Sequence, residues 1–456
     1  MLFNNNSISI SYSVNQFQCK RMDIDVWEEV DGPKKDENKI VIEYESTCST
    51  DTVRCPYCGK QVSGHGKAIT VLKDMPIWFG IKQEAVVTYH RYQCLECSRV
   101  FSEDISFKHP GTRVTERAVN WVKGFLRHGL SVKAISEITG IHWNTIRQLH
   151  EEVIQEKLEE RAEYLKGEKY KPKLLAIDEF AIHKGHTYAT TVLDLEMGDV
   201  LWVGKGRTIT DFEYFFEDVD ADLLSEVEAI AMDMNASYNK VVREKLPNVQ
   251  IVYDRYHMQA QYGKEVLGVV RLNEARQHKA EANRIKKEEL PAAEQKDKAS
   301  LKQEARTEQQ LYSKLKRSRW ILLRNSDNLS ENARQYLDGI LLSHADLATC
   351  YAMKEEMCDL FEITDPVIAR DRWEKWFDAA LASGIEPLMK FADHKKERID
   401  GLVAHATYPI STGKLEGLNN KIKVAKRIGY GFRNDQYFFS LIRFLSIPPV
   451  SSHKET

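Results

Sequence analysis

Leu174-Leu175-Ala176-Ile177-Asp178 and Ala229-Ile230-Ala231-Met232-Asp233 decide how this chain is read. Each is a continuous apolar run that closes on an acid. Runs apolar at every position fit strands buried on both faces of a sheet. If the two strands are parallel neighbours, both carboxylates emerge at the same edge. The surrounding pattern agrees with a sheet. Apolar runs at 174–177, 187–195 and 200–206 are joined by Lys184-Gly185 and Met197-Gly198-Asp199, which predicts an antiparallel meander. Helical stretches separate the later runs at 227–232 and 249–253, as in βαβ units.

A third acid comes from far downstream. On a helix starting near Lys414, Glu416, Asn420, Lys423 and Arg427 share one stripe, and Leu415, Leu418, Ile422 and Ala425 form the packing stripe. Glu416 therefore sits on a basic, exposed face. Convergence of three acids has a chemical reason. A phosphodiester is anionic and resists attack by another anion, and two divalent cations about 4 Å apart relieve that repulsion. Carboxylates suit hard cations such as Mg2+. Alone, an aspartate at a strand end is an ordinary solvated turn residue.

Outward from this core, 456 residues suggest about three domains at ~150 residues each. Charged residues make up 29% and hydrophobic residues 42%, so a normal globular core is available and a disordered or collagenous chain is excluded. No apolar run is long enough to span a bilayer. The first twenty residues lack the apolar centre of a secretory signal. Met22 offers an alternative start, which would leave residues 1–21 untranslated.

The net charge of −3 hides segregation. Residues 21–51 hold ten acids against four bases, 111–150 six bases against two acids, and 414–443 seven bases against two acids. Two basic regions on a near-neutral chain point to two places that could touch phosphate.

Cys55-Pro56-Tyr57-Cys58 and Cys94-Leu95-Glu96-Cys97 are two CxxC knuckles. Each turns two sulfurs toward one point, and together they complete a four-sulfur shell for structural Zn2+. Gly59 and Ser98 suit the turns, and a β-hairpin should fill the intervening run. His65 and His90 read as ordinary strand or surface residues, and Cys19, Cys48, Cys350 and Cys358 as ordinary thiols.

Residues 131–147 read as a helix-turn-helix. Ser131 caps the first helix, Ala134, Ile135 and Ile138 face inward, Gly140 makes the turn, and Ile141 and Ile146 pack the second helix back. His142, Trp143, Asn144, Arg147 and Gln148 point outward, the positions that enter a major groove in this motif.

The expected order is a polar, acidic, disordered arm (1–50), a zinc-ribbon-like module (51–110), a helix-turn-helix domain (111–168) and an α/β core (169–255). An all-helical stretch interrupted at Pro291 (256–408) and a last helix with the C-terminus (409–456) follow.

The chain resembles the ISL3 family of bacterial insertion-sequence transposases, from about Cys55 to Leu445. The resemblance rests on the cysteine pairs, the helix-turn-helix, Ile177-Asp178-Glu179-Phe180-Ala181 with Lys184-Gly185-His186 and Tyr188, and Met232-Asp233-Met234. Asp254-Arg255-Tyr256-His257 adds to it. The most specific block is Gly413-Lys414-Leu415-Glu416-Gly417-Leu418-Asn419-Asn420-Lys421-Ile422-Lys423, followed by Tyr430-Gly431-Phe432-Arg433. Departures at His405-Ala406 and Ile410-Ser411-Thr412 leave the triad untouched.

That resemblance implies an RNase H-like mixed sheet with a large helical insertion, and a DDE triad of Asp178, Asp233 and Glu416 holding Mg2+ or Mn2+. It makes Asp254, His257 and Asn420 a supporting shell, and Lys421, Lys423, Arg427 and Arg433 phosphate contacts. Double-stranded DNA is the implied partner, both as the element's terminal inverted repeats and as target. It also implies a homo-oligomer holding two ends, in a bacterial cytoplasm at the nucleoid. Cleavage would free a 3′-OH that attacks target DNA. Two other functions fit parts of the sequence: a non-catalytic zinc and helix-turn-helix regulator, and an RNase H-like nuclease without strand transfer.

Overall fold

The computed structural model describes residues 13–14, 17–24, 39–46, 48–76, 82–183, 187–234, 236–410, 413–429 and 431–448. Lys184-Gly185-His186, Ser411, Thr412 and Tyr430 of the motifs above lie outside the described residues, as does most of the expected arm. The chain divides into two compact units: residues 1–164 with 427–440, and residues 165–426 with 441–456. The last basic stretch is thus shared out, with 427–440 clustering with the N-terminal residues rather than with the rest of 409–456.

The first unit holds a six-stranded sheet. Its strands are β1 (Ser13–Val14), β2 (Phe17–Ile24), β3 (Lys39–Ser46), β4 (Val62–Asp74), β5 (Lys82–Cys94) and β6 (Val100–Ser102), in the order β1-β2-β3-β5-β4 with β6 on β5. The long β4–β5 hairpin between the cysteine pairs is as expected. The expectation of a disordered arm over residues 1–50 is corrected for Lys39–Ser46. β3 runs parallel to β5 in the middle of the sheet, with Ile40, Ile42 and Tyr44 buried. Alternation in Ile40-Val41-Ile42-Glu43-Tyr44 puts one apolar face inward, a period-two signal masked by the surrounding acids. β2 pairs with β3 and includes Phe17–Arg21, upstream of Met22.

Helix Glu116–Arg127 is tied to this sheet through Asp74. The Asp74 carboxylate takes bonds from Thr115 Oγ1 (2.6 Å) and Gln83 Nε2 (2.8 Å), and pairs with the Arg117 guanidinium. Burial alone would raise its pKa, but these partners hold it below the usual carboxylate range. The next helices, Val132–Thr139 and Trp143–Gly167, meet at Gly140, whose φ of 66° is costly for any residue with a Cβ. Ser131 caps the first as expected, its hydroxyl accepting from the Ala134 N–H (3.1 Å). Ile135, Ile141 and Ile146 are buried, but Ile138 is 49% exposed, contrary to its expected inward position.

The second unit holds a five-stranded sheet of β7 (Leu174–His183), β8 (Thr187–Asp194), β9 (Val200–Lys205), β10 (Ala229–Met232) and β11 (Gln250–Tyr253), ordered β11-β10-β7-β8-β9. β7, β8 and β9 form the expected antiparallel meander, and β7, β10 and β11 are parallel. This is a mixed α/β architecture. Thr208 and Asp211 form a reciprocal capping box that starts helix Ile209–Asp218. Its Phe212 and Phe215 pack edge-on against Trp202 of β9.

Residues 255–406 are almost all helix. The break lies just past Pro291, before helix Lys298–Arg317. These helices share one core with the sheet, through Trp373, Trp376, Phe377 and Phe391. Gly401 lets a helix lie on β11, since a Cβ there would fall 2.4 Å from the Tyr253 ring.

Candidate active site

Parallel pairing brings together the two strands that lead to the first two acids. Ala229, Ile230 and Ala231 of β10 stand opposite Leu174, Leu175 and Ala176 of β7. Asp178 and Asp233 each lie two residues beyond the last of these pairs, Ala176 with Ala231. Asp233 directly follows β10, as read from the sequence. Asp178 does not end its strand, because β7 continues to His183 and its second half pairs with β8 alone. Asp178 is therefore mid-strand, fixed by backbone bonding on the β8 side, where it pairs with Thr191.

Asp178 Oδ1 accepts from the Glu179 N–H (2.8 Å), and Oδ2 accepts from Asn419 Nδ2 (2.7 Å). Desolvation by burial raises its pKa despite these bonds. Asp233 Oδ1 accepts from the Met234 N–H (2.6 Å) and from Gln261 Nε2 (3.4 Å), with His257 Nδ1 at 3.4 Å. Burial pushes Asp233 up, but the His257 bond and charge outweigh it and the net shift is downward. The same Asp233 bond lifts His257 to about 9, against burial, so the ring is cationic at neutral pH.

His257 is held in place from below. Asp254 is buried and caps helix Arg255–Tyr262, accepting from the His257 N–H (2.8 Å). Gln261, one turn after His257, takes a bond from Lys395 Nζ. Gln261 and Lys395 were not read from the sequence. Nothing local marks them, since they meet only where two distant helices pack.

Helix Gly413–Ile428 brings the third acid's segment to the sheet. Leu415, Leu418 and Ile422 are buried as expected, and Ala425 is half-buried. Asn419 bridges to Asp178, whereas Asn420 is exposed. The helical phase explains this. At 100° per residue Asn419 falls at the edge of the buried stripe, and Asn420 falls well outside it. Glu416 is exposed one turn before Asn419, the spacing of side chains that are neighbours on a helix surface. Lys414 Nζ reaches the carbonyls of Leu195 and Glu196 and clamps the start of the helix to the β8–β9 turn. Lys426 Nζ does the same at the other end, donating to the Ala181 carbonyl (2.6 Å).

The arrangement is an oxygen donor set. Two half-buried carboxylates, one within β7 and one just after its parallel neighbour β10, are held by named partners, and a cationic ring lies against Asp233. Such donors fit hard divalent cations.

In the first unit the four cysteine sulfurs lie within 4.8 Å of one another. Cys55 and Cys97 are 3.7 Å apart, and Cys58 and Cys94 3.5 Å. A tetrahedral zinc with Zn–S near 2.3 Å places its sulfurs about 3.8 Å apart. Backbone N–H groups of Cys97 and Glu96 point at Cys94 Sγ and draw its pKa down to about 6. Gly59 (φ 71°) and Ser98 (φ 57°) turn left-handed after the two knuckles. His90 pairs with Glu103 instead of joining the sulfurs.

Of the residues expected to face outward from the helix pair, His142, Trp143, Asn144 and Gln148 are exposed. Arg147 folds back, pairing with Glu151 (2.7 Å) and lying 4.4 Å from the Tyr437 ring centroid. Lys421, Lys423, Arg427 and Arg433 are exposed, and Lys421 Nζ also reaches the Leu445 carbonyl (3.1 Å). Among the described residues, no helix is long and apolar enough to cross a membrane.

Residues 175–442 match the ISL3 family of DDE proteins, described as "Transposase". The chain is similar to the transposase for insertion sequence element IS1001 of Bordetella parapertussis, 33% identical over 394 residues, which cover 85% of this chain and 87% of that protein. It is also similar to the transposase for insertion sequence element IS1557 of Mycobacterium tuberculosis (strain CDC 1551 / Oshkosh), 24% identical over 393 residues, covering 85% and 84%.

Proposed function

The chain belongs to the ISL3 family of transposases, enzymes that act on DNA, and from that premise we propose that Asp178, Asp233 and Glu416 are its catalytic triad. The observation that supports this reading is the parallel register that pairs β7 with β10 two residues before both aspartates, with Asn419 linking Asp178 to the helix that bears Glu416. The sheet order, with a meander on one side and parallel strands on the other, supports an RNase H-like core.

The three carboxylates would hold Mg2+ or Mn2+. Divalent cations held there would supply activation of the attacking oxygen and stabilisation of the leaving one. The chain's own residues supply position and charge. Asn419 holds the Asp178 carboxylate in one orientation, and Asp254 fixes the helix end from which His257 meets Asp233. Lys421, Lys423, Arg427 and Arg433 offer cations to the DNA backbone. The reaction is hydrolysis at an element end, which frees a 3′-OH, followed by attack of that hydroxyl on a target phosphodiester, where a new P–O bond forms as the target's own 3′-oxygen leaves.

End recognition falls to the helix pair around Gly140, acting as a helix-turn-helix, with His142, Trp143, Asn144 and Gln148 at the bases. The four-cysteine cluster, filled by structural Zn2+, supports that fold. Two such chains would hold the two ends at the nucleoid.

The test uses supercoiled DNA carrying both element ends, with Mg2+. Cut ends and joined products are expected from the native chain. Asp178→Asn, Asp233→Asn and Glu416→Gln should each lose cleavage while retaining end binding. Cleavage at the native rate in these variants overturns the triad, and cut ends without joined products would make the protein a nuclease.

A further inference from the structure

Far along the chain from the acids, the helical stretch holds a cluster that neither the catalytic reading nor the cysteine cluster uses. Helix Gly268–Arg284 carries Glu274 and His278 one turn apart on one face. His344 directly precedes helix Ala345–Leu360, and Glu308 comes from helix Lys298–Arg317. Ligand atoms of Glu274, His278 and His344 all lie within 4.8 Å of one another.

The hydrogen bonds fix which ring nitrogens face inward. His278 Nδ1 lies 2.6 Å from the Glu308 carboxylate, and His344 Nδ1 lies 2.7 Å from the Ile340 carbonyl. Both partners only accept, so each Nδ1 carries a proton. In the neutral rings both Nε2 atoms are then bare lone pairs, and they stand 2.9 Å apart. Two lone pairs at that distance repel unless a cation or a shared proton reconciles them. The Glu274 carboxylate approaches the same point, 4.0 Å from His344 Nε2, and the His344 side chain is only 2% exposed.

Imidazoles that bind metals characteristically donate the other N–H to a carboxylate or backbone carbonyl, and both rings here do so. A cation about 2.1 Å from each nitrogen spans the 2.9 Å at an angle near 90°, and the rings reach tetrahedral spacing, about 3.4 Å, by parting about 0.5 Å. Two imidazoles and one carboxylate are a donor set suited to zinc, with a fourth position left for water.

We propose that Glu274, His278 and His344 bind a zinc-type divalent cation, oriented by Glu308, which clasps the helices of this stretch together. The site is separate from the carboxylates of the sheet and from the four cysteines, and does not depend on the catalytic reading.

The test measures zinc bound per chain in the full-length protein after equilibrium dialysis, with excess Mg2+ present to occupy the acidic site. The native chain is expected to hold one zinc ion more than His278→Ala and one more than Glu274→Gln, whatever the four cysteines bind. Glu274→Gln nearly preserves side-chain volume, and circular dichroism checks that both variants are folded. Glu308→Gln should keep that additional ion but bind it about 10–100-fold more weakly, because it loses only the orienting partner. The native chain should melt at a higher temperature with zinc than without, by a margin that His278→Ala removes. Equal zinc content in the native chain and in both folded variants overturns the proposal and leaves a proton shared between the two rings.

Discussion

The four-cysteine cluster and the carboxylate site are assembled in opposite ways. The thiols come from two knuckles at one end of a single hairpin, where Val62 pairs with Cys94. Spacing within each knuckle and one antiparallel register suffice to bring them together. Asp178, Asp233 and the segment bearing Glu416 come from three elements whose relation depends on a sheet order and on a helix docked across the sheet. The first arrangement is closed and built for stability. The second leaves Glu416 exposed and the two aspartates half-buried, as the proposed chemistry on a large substrate would require.

The sharpest way to break this comparison is to remove one thiol. Cys58→Ser should lose its zinc, and structural zinc sites contribute on the order of 10 kcal/mol to folding. Limited proteolysis should then cut within residues 48–110 and leave 174–410 protected; equal sensitivity of both regions would show that the two sites share one folding unit. Removing one acid should do the reverse. Asp178→Asn should lower strand cleavage by about 10³-fold or more with an unchanged zinc content. Rates on end-bearing DNA together with metal analysis check both halves.

The carboxylate site depends on the large core that joins the sheet to the helices. Trp376 is fully buried there, and its Nε1–H donates to the Met353 carbonyl (2.9 Å). Trp376→Ala should cost about 3–5 kcal/mol. The urea midpoint of the helical signal should fall accordingly, with zinc retention by the cysteines unchanged.

In the first unit the long-range joint is His150, whose Nδ1 lies 2.6 Å from the Tyr437 hydroxyl. Burial, aided by the Arg147 charge, holds His150 down at about 4. A histidine depressed in the folded state binds fewer protons than the unfolded chain between pH 4 and 6.5. Its contribution is therefore complete above about pH 6.5 and is lost as pH falls toward 4, at most about 3 kcal/mol. His150→Gln should flatten that part of the stability–pH curve.

The smallest effect expected is at Asn419. Asn419→Ala removes the bond to Asp178 but no acid, and should slow cleavage by about 10–100-fold. A loss as large as that of Asp178→Asn would mean that Asn419 does more than orient the carboxylate.

Much of this is legible in the amino-acid sequence. The apolar runs ending in Asp178 and Asp233, the paired cysteines, and the Leu415-Leu418-Ile422 stripe all follow from local periodicity. The arm misled because ten acids in residues 21–51 outweighed the short alternation at Ile40, Ile42 and Tyr44. Arg147 misled because a helix face that looks outward in isolation meets Tyr437, nearly three hundred residues away.

By itself, then, the sequence determined what short-range geometry controls: which residues are strand or helix, which face of each is apolar, and where two thiols turn together. Only the tertiary structure decided that Asn419 rather than Asn420 meets Asp178, that His257 lies on Asp233, and that β3 enters the sheet beside β5. Local spacing is fixed by bond geometry over a few residues. Long-range contacts are chosen by the summed packing of a whole core, and no short stretch of chain carries that sum.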